Sequence, residues 1–211
     1  DHKNTNILYA ATWQRHRTVA ALMGGGPESG LHRSEDGGET WTELKSGLPN
    51  YAGKIGFTLS PQKPDVLYAS IELEKRNGAV YKSEDRGSSW KKMSDLSLGY
   101  GTGPHYYQEL FASPHKFDRL YLMNVRILTS EDGGKTFVEL TERSKHSDNH
   151  AIAFREDDPN YLLVGTDAGI YESFDLAKTW KYHKNLPITQ FYKVAVNNAY
   201  PFYHIFGGTQ D

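Results

Sequence analysis

The chain has 211 residues, no cysteine and a formal net charge of −2, from 24 basic and 26 acidic residues. This composition excludes disulfides and thiolate metal sites, and the lack of a basic stripe argues against nucleic acid as a partner. No apolar run approaches the ~20 residues that a membrane helix needs, so we predict no membrane insertion. Hydrophobic residues make up 37% of the chain, which is enough for a packed core.

Short runs of about four to eight residues, rich in β-branched and aromatic side chains, follow one another along the whole chain. They are bounded by Gly, Pro, Asn or Asp and recur in one order, as the first to fourth strands of a repeated unit. The second strands are the clearest, at 7–11, 66–70, 120–122 and 161–164. Because no stretch keeps a helical period over about 11 residues, the prediction is an all-β protein.

One eight-residue segment returns four times, between the third and fourth strands of each unit. Its copies begin at Ser34, Ser83, Ser130 and Ser173, at intervals of 49, 47 and 43 residues. A motif with this period marks stacked units, and four-stranded units of about 45 residues are typical of β-propeller blades. We therefore predict a β-propeller of four-stranded antiparallel blades, and we call residues 34–41, 83–90, 130–137 and 173–180 the repeated turns.

The period divides the chain into about three complete blades and two partial ones. A propeller closes to hide its strand edges, so we expect a fragment of a larger ring whose remaining blades would be its partners. An alternative is that the two chain ends pair and close a small four-bladed ring. The predicted bounds are 1–48 for blade one, which lacks its first strand, 53–97 for blade two, 105–142 for blade three, 149–186 for blade four and 191–211 for the start of blade five.

The repeated turns are predicted to staple the fold, since one catalytic residue is not needed four times. In the first copy, Asp36 would accept backbone hydrogen bonds, Gly38 would supply a positive φ, and Trp41 would pack beneath the turn. The fourth copy has Ala177 in place of glycine, and we expect a distorted turn because a left-handed alanine costs about 1 kcal/mol. The residues given this structural role are Ser34, Asp36, Gly38, Trp41, Ser83, Asp85, Gly87, Trp90, Ser130, Asp132, Gly134, Phe137, Ser173, Asp175 and Trp180.

The pattern Ser-x-Asp-x-Gly-x-Thr-Trp resembles the Asp-box, or bacterial neuraminidase repeat. This repeat occurs in sialidases, xyloglucan-active glycoside hydrolases, sortilin ectodomains and photosynthesis assembly factors. Other segments resemble large secreted bacterial proteins named sortilin-like or glycosyl-hydrolase-like; they are 24–30, 106–110, 143–150, 186–192 and 207–211. The resemblance implies a β-propeller and a secreted or periplasmic location, and it leaves the activity open.

Propeller topology sorts the remaining residues by face. Loops from a fourth strand to the next first strand, and from second to third strands, share one face, which we call the mouth face. The repeated turns lie on the opposite face. Long loops with aromatic, amide, carboxylate and arginine groups around a concave mouth suit glycan, peptide or protein binding. The residues we expect to bind ligand are Trp13, Arg15, Tyr106, Tyr107, Gln108, His146, Asp148, His150 and Gln190.

Two features of the mouth face have competing interpretations. His146, Asp148 and His150 alternate along an extended segment, which would suit a metal. We interpret them as hydrogen-bonding residues and predict neither a metal nor a cofactor. The glycine run 24–26 could cradle a phosphate, but no helix follows it, so we interpret it as a flexible turn.

Two functional hypotheses remain open, besides a purely structural brick of a larger ring. The first is an extracytoplasmic binding or scaffold module that recognises a glycan, peptide or protein. The second is a glycoside hydrolase, for which the resemblance to xyloglucan-active enzymes implies Asp167 and Asp211 as acid and base. Such chemistry needs two carboxyl groups ~5–10 Å apart. A sialidase is disfavoured, because the arginines do not recur at matching first-strand positions.

Overall fold

The computed structural model describes residues 1–96, 107–186 and 191–209, without the side chain of Arg76. Within these ranges the chain is almost entirely β-structure, with one 3-10 turn at Glu74–Arg76. None of the helical structure in these ranges is long and apolar enough to span a bilayer. The all-β prediction is therefore confirmed.

The strands are numbered in chain order. They are β1 (Leu8–Thr12), β2 (His16–Arg17), β3 (Leu22–Met23), β4 (Gly30–Ser34), β5 (Thr42–Leu44), β6 (Ile55–Leu59), β7 (Leu67–Glu72), β8 (Gly78–Ser83), β9 (Lys91–Leu96) and β10 (Leu110–Ala112). They continue as β11 (Leu120–Leu122), β12 (Leu128–Ser130), β13 (Val138–Glu139), β14 (Asn149–Arg155), β15 (Asp158–Thr166), β16 (Gly169–Ser173), β17 (Lys181–Tyr182), β18 (Phe191–Val196) and β19 (Ile205–Thr209).

Consecutive strands pair side by side, as they do in propeller blades. Three sheets have four strands each, in the orders β6-β7-β8-β9, β10-β11-β12-β13 and β14-β15-β16-β17. The first sheet has three strands, β1-β4-β5, and the last has two, β18-β19. A small hairpin, β2-β3, lies in the long loop between β1 and β4. These are the three complete and two partial blades of the predicted propeller.

The core lies between neighbouring blades. Leu31 and Leu44 of the first sheet pack with Ile71 and Trp90 of the second. The second and third sheets share another buried cluster, and the third and fourth sheets share one more. Because burying one such side chain contributes about 1.5–3 kcal/mol, each blade is stabilised mainly by the blades beside it.

The repeated turns all make one set of hydrogen bonds. Ser34 Oγ accepts from the Gly38 N–H at 2.8 Å and donates to the Asp36 carboxylate at 2.7 Å. That carboxylate also accepts from the Thr40 N–H at 2.9 Å and from the Thr40 hydroxyl at 2.5 Å. The other three copies repeat these bonds. The glycine of the first copy has a φ of +102°, as the prediction required.

A backbone bond latches each repeated turn to the start of the second strand of its own blade. In each case a backbone N–H of the turn donates to a backbone carbonyl: Gly37 to Asn6 at 2.9 Å, Arg86 to Asp65 at 2.9 Å, Gly133 to Asp118 at 2.9 Å, and Leu176 to Asn160 at 2.8 Å. The four latches place the turns in equivalent positions, so the structure fixes this face of the first four blades in the same way.

The prediction that the fourth repeated turn is distorted is wrong. Ala177 adopts a φ of +68° and Leu176 a φ of +55°, yet the Ala177 N–H still donates to Ser173 at 2.9 Å. The bonds of the serine and aspartate therefore hold the backbone in the left-handed region without glycine. The difference appears instead in Trp180, whose indole N–H donates to the Thr141 carbonyl at 2.8 Å.

The expectation that Trp41 is packed beneath its turn also needs correction. Trp41 and Trp90 make equivalent indole hydrogen bonds within their turns, both at 3.0 Å. Trp90 is 6% exposed and belongs to the cluster between the first two blades, whereas Trp41 is 43% exposed. The burial of the ring comes from the neighbouring blade and not from the turn itself.

This contrast predicts unequal costs for two chemically identical substitutions. Trp90→Ala should lower the free energy of unfolding by about 3–5 kcal/mol, because it empties a buried site. Trp41→Ala should cost about 1 kcal/mol, since mainly a hydrogen bond is lost. Urea denaturation followed by circular dichroism would compare them, and equal losses would contradict the packing described here.

The aspartates of the repeated turns predict acid sensitivity. Burial alone would raise the pKa of Asp132, but hydrogen bonds from Thr136, Ser130 and Lys135 outweigh it and lower the pKa to about 2. A lowered folded-state pKa stabilises the fold above the unfolded value of about 4, and this stabilisation is lost as pH falls towards 2.

Asp132→Asn should therefore lower the melting temperature at pH 7 and have a smaller effect near pH 2. Glu139→Gln, which removes an exposed carboxylate on β13, is the matched control and should leave the pH profile unchanged. Melting temperatures measured between pH 2 and 7 would test this, and a variant profile parallel to the wild-type profile would contradict it.

Candidate functional site

Polar side chains of blades two, three and four form a connected series on the mouth face. They lie just before or at the start of first strands, or at the end of second strands, where propeller topology brings them to one surface. We call this series the mouth belt. Its members are Lys54, Glu72, Tyr107, Glu109, Asp148, His150 and Asp167.

An ion pair joins blades two and three within the mouth belt. Lys54 Nζ lies 2.6 Å from Glu109 Oε1 and also donates to the Tyr107 carbonyl at 2.8 Å. The Lys54 N–H donates to the Glu72 carboxylate at 3.1 Å. Both charged side chains of the pair are less than half exposed, at 19% and 37%. The pair therefore fixes the relative position of two neighbouring first strands.

Tyr107 joins blades three and four. Its hydroxyl donates to Asp148 Oδ1 at 2.5 Å, and Ser147 donates to the other carboxylate oxygen at 2.9 Å. The Tyr107 ring stacks on His150, with ring centroids 5.3 Å apart and an interplanar angle of 15°. Because Tyr107 is itself buried, this arrangement orients His150 from beneath.

The surroundings of Asp148 keep it ionised at neutral pH. Burial alone would raise its pKa, but the hydrogen bonds from Tyr107 and Ser147 and the nearby His146 and His150 outweigh burial and lower the pKa. An ionised carboxylate only accepts hydrogen bonds. Asp148 thus suits a structural or electrostatic role and does not suit that of a proton donor.

His150 and Asp167 form the open end of the mouth belt. His150 Nε2 lies 2.7 Å from Asp167 Oδ1, and the side chains are 41% and 61% exposed. The Asp167 N–H donates to the Asp148 carbonyl at 3.2 Å, which ties the two loops together. A carboxylate that orients an exposed imidazole offers both donors and acceptors to a hydroxyl-bearing ligand, and it is also a common acid–base arrangement.

A buried ionic network supports the loop that carries Asp148 and His150. Lys145 and Glu142 side chains are 0% and 1% exposed and lie 2.8 Å apart. Lys145 also donates to the side chain of Asn149, whose amide donates to the Asn124 and Val125 carbonyls. Burial lowers the pKa of Lys145 more than the Glu142 carboxylate raises it. This network explains why charged and polar residues can be buried in 142–150, because each of the buried groups described has a hydrogen-bond partner.

Trp13 and Arg15 make their contacts within the long loop of blade one. The Trp13 indole donates to the Gly24 carbonyl at 2.9 Å, and the Arg15 guanidinium lies 5.3 Å from the Trp13 ring centroid. Trp13 thus anchors the loop, and Arg15 is exposed beside it. Their predicted role in ligand binding stays a prediction.

The interpretation of the glycine run as a flexible turn is wrong. A Cβ on Gly25 would lie 2.6 Å from the Ala52 carbonyl, and one on Gly26 would lie 2.0 Å from Gln14 Oε1. The Gly26 N–H donates to Ala52 at 3.1 Å. Glycine is needed at position 25, because there the long loop of blade one packs closely against the backbone of the chain entering blade two.

The structure contradicts the prediction that Gln108 binds ligand. Gln108 is 2% exposed, and its amide donates to the carbonyls of Lys54 at 3.0 Å and Ser70 at 2.8 Å. Its backbone has a φ of +96°. The side chain therefore serves the contact between blades two and three, and a ligand on the mouth face cannot reach it.

The remaining predicted residues fall into two groups. His146 is exposed and its Nδ1 lies 2.8 Å from the neighbouring Ser147 carbonyl, so no described bond joins it to His150. Within the described ranges, no group of three or more His, Asp or Glu side chains could hold a metal. Tyr106, Gln190 and Asp211 lie outside the described residues, and their roles stay predictions.

Sequence reasoning missed Lys54, Glu72 and Glu109. Lys54 and Glu109 each stand one residue before the first strand of a blade, at matching positions and with opposite charge. Glu72 ends a second strand, as Thr166 does before Asp167. Comparing equivalent positions in successive repeats would therefore have identified these residues.

Comparisons with known proteins agree on the fold. No protein-family model matches the chain. It is 26% identical over 162 residues to a probable oligoxyloglucan-reducing end-specific xyloglucanase of Neosartorya fischeri, which covers 69% of this chain and 19% of that protein. The chain thus spans about a fifth of the length of this relative.

Two solved structures resemble the chain over most of its length. The GH74 xyloglucanase of Xanthomonas campestris matches with a TM-score of 0.62 and 19% identity, over 93% of this chain and 30% of its own. The GH74 enzyme of Niastella koreensis matches with a TM-score of 0.56 and 17% identity, over 84% and 27%. At this level of identity the likeness establishes the fold, and it confirms the predicted β-propeller.

The geometry of the mouth belt predicts a specific change in Asp148. Tyr107→Phe removes a hydrogen bond to the ionised carboxylate and keeps the ring, so the pKa of Asp148 should rise towards its ordinary value. Tyr161→Phe, which removes a hydroxyl bonded to Glu172 in blade four, is the matched control. Carboxyl titration by nuclear magnetic resonance would measure the change, and an unchanged Asp148 pKa would contradict the assigned bond.

Proposed function

We propose that the chain is a glycan-binding propeller module that holds a neutral polysaccharide of the xyloglucan type on its mouth belt. The observation that carries this proposal is the exposed His150–Asp167 pair, placed beside a stacked tyrosine and an ionised carboxylate. Sugar hydroxyls need donors and acceptors at fixed positions, and this surface supplies both. The xyloglucanase name of the curated relative supports the choice of polysaccharide.

The electrostatics of the mouth belt favour a neutral ligand. Lys54 is paired with Glu109, and Asp148 is bonded to Tyr107 and Ser147. No described cation of the belt is therefore left to attract an anionic polymer. Fixed, paired charges contribute orientation and specificity more than long-range attraction.

A second candidate function is hydrolysis of the bound polysaccharide, which the names of the similar xyloglucanases favour. In this version Asp167 acts as acid or base, assisted by His150, and Asp211 is its partner. Such a mechanism needs one carboxyl group that holds a proton and a second carboxylate ~5–10 Å away. Asp148 does not supply the proton, because its pKa is lowered.

We infer further that the repeated turns are Asp-boxes of the neuraminidase-repeat type, a view supported by their common hydrogen bonds. The blade bounds given above, the membership of a larger ring and a secreted or periplasmic location belong to the same proposal. The unpacked β18-β19 sheet supports the larger ring, because its side chains are exposed on both faces.

Calorimetric titration with xyloglucan oligosaccharides tests the proposal. Asp167→Asn and His150→Ala should each weaken binding by about 10–100-fold, since a hydrogen bond to a charged group contributes about 1.5–3 kcal/mol. Asp157→Asn is the control, because Asp157 pairs with Arg155 between the first and second strands, on the opposite face. Wild-type protein that binds no oligosaccharide would contradict the proposal.

The same samples separate the two candidate functions. Release of reducing sugar that is lost in Asp167→Asn would favour the hydrolase, whereas binding without release would favour the module. Because Asp167→Asn keeps the size of the side chain, the variant should fold as the wild type does, and circular dichroism would verify this.

A further inference from the structure

A cleft of about 580 Å³ opens on the mouth face, above blade two. The connection from blade one contributes Tyr51, the loop between β7 and β8 contributes Leu73, Glu74 and Asn77, and the end of β9 contributes Asp95. We call it the blade-two cleft. Its volume lies within the range of about 300–1,000 Å³ that is usual for small-molecule sites.

Backbone hydrogen bonds hold the walls of the blade-two cleft in place. The Leu73 N–H donates to the Asn77 carbonyl at 2.8 Å, and the Asn77 N–H donates to the Glu74 carbonyl at 3.2 Å. On the other wall, Tyr51 packs so closely on Gly25 that a Cβ there would lie 2.7 Å from the tyrosine hydroxyl. Leu73, Glu74 and Asn77 are thus presented by a closed turn, which lowers the cost of ordering them on binding.

The lining of the cleft matches the two kinds of surface that a pyranose presents. Leu73 and Leu96 line the cleft with apolar surface and Tyr51 lines it with an aromatic ring, which suit the C–H faces of sugar rings. Glu74 and Asn77 provide exposed acceptors and donors for hydroxyl groups. Asp95 is paired with Lys92, and among the described residues that line the cleft none carries a positive charge for an anionic ligand.

The blade-two cleft adjoins the Lys54 and Glu72 end of the mouth belt along the chain. Tyr51 precedes Lys54 by three residues, and Glu72 stands directly before Leu73. The Gly53 N–H donates to the Glu72 carbonyl at 2.8 Å, which joins the two segments where the belt ends and the cleft begins. A polymer that extends past this end of the belt would therefore meet the cleft.

We propose that the blade-two cleft is a distal subsite that holds further pyranose units of the polysaccharide bound at the mouth belt. The inference rests on the proposed function and extends it, because it assigns the bound polymer a direction and a minimum length. Short ligands fill the belt alone, and only longer ones reach Tyr51 and Glu74.

Titration with xyloglucan oligosaccharides of one, two and three repeat units tests the subsite. Tyr51→Ala and Glu74→Gln should each weaken binding of the longest ligand by about tenfold, the loss of about 1.4 kcal/mol. Binding of the shortest ligand should be unchanged. Glu74 is exposed, so Glu74→Gln tests the site without endangering the fold, and Glu39→Gln on a repeated turn is its control.

Each outcome has a distinct meaning. Loss confined to long ligands supports the distal subsite. If wild type and both variants bind oligosaccharides of every length with equal affinity, the subsite is overturned and the proposed function stands. Equal losses for short and long ligands would move Tyr51 and Glu74 into the primary site and also overturn it. Wild-type protein that binds no oligosaccharide of any length would overturn both proposals.

Discussion

The fold depends on one local constraint, the serine hydroxyl that joins two parts of each repeated turn. In the first copy, the Ser34 hydroxyl accepts a hydrogen bond from the Gly38 N–H and donates one to the Asp36 carboxylate. The carboxylate in turn binds the residue two positions before the fourth strand, and a backbone latch holds the turn to the second strand. These bonds need no neighbouring blade, so the first four blades form the same corner, and the apolar clusters between blades then stack the corners in register.

This constraint divides the molecule into a uniform face and a variable one. The repeated turns occupy the uniform face, and their hydrogen bonds are already satisfied within the turn. On the mouth face, contacts between blades differ at each joint: an ion pair between Lys54 and Glu109, and a stacked Tyr107 with Asp148 and His150. These joint residues position neighbouring first strands and also present polar groups on the mouth face, from the exposed Asp167 to Lys54 beside the blade-two cleft.

The sequence predicted the architecture well because the fold is set by a short pattern that repeats with its bonding partners inside it. It also predicted Tyr107, Asp148, His150 and Asp167 as a group, since the repeat register assigns each loop to a face. Gln108 was misplaced because alternation along a strand does not reveal its φ of +96° or its burial between blades. The exposure of Trp41 and the close packing of Gly25 depend on what lies across a blade joint, which local sequence does not encode.

In this molecule the mouth face would bind ligand and the repeated turns would staple the fold. Amide chemical-shift mapping with a long xyloglucan oligosaccharide observes both faces in one experiment. We expect saturable shifts at His150, Asp167 and Glu74, and unmoved signals at the glycines of the repeated turns, Gly38, Gly87 and Gly134. Shifts centred on those glycines, with the mouth face unchanged, would contradict this division of roles.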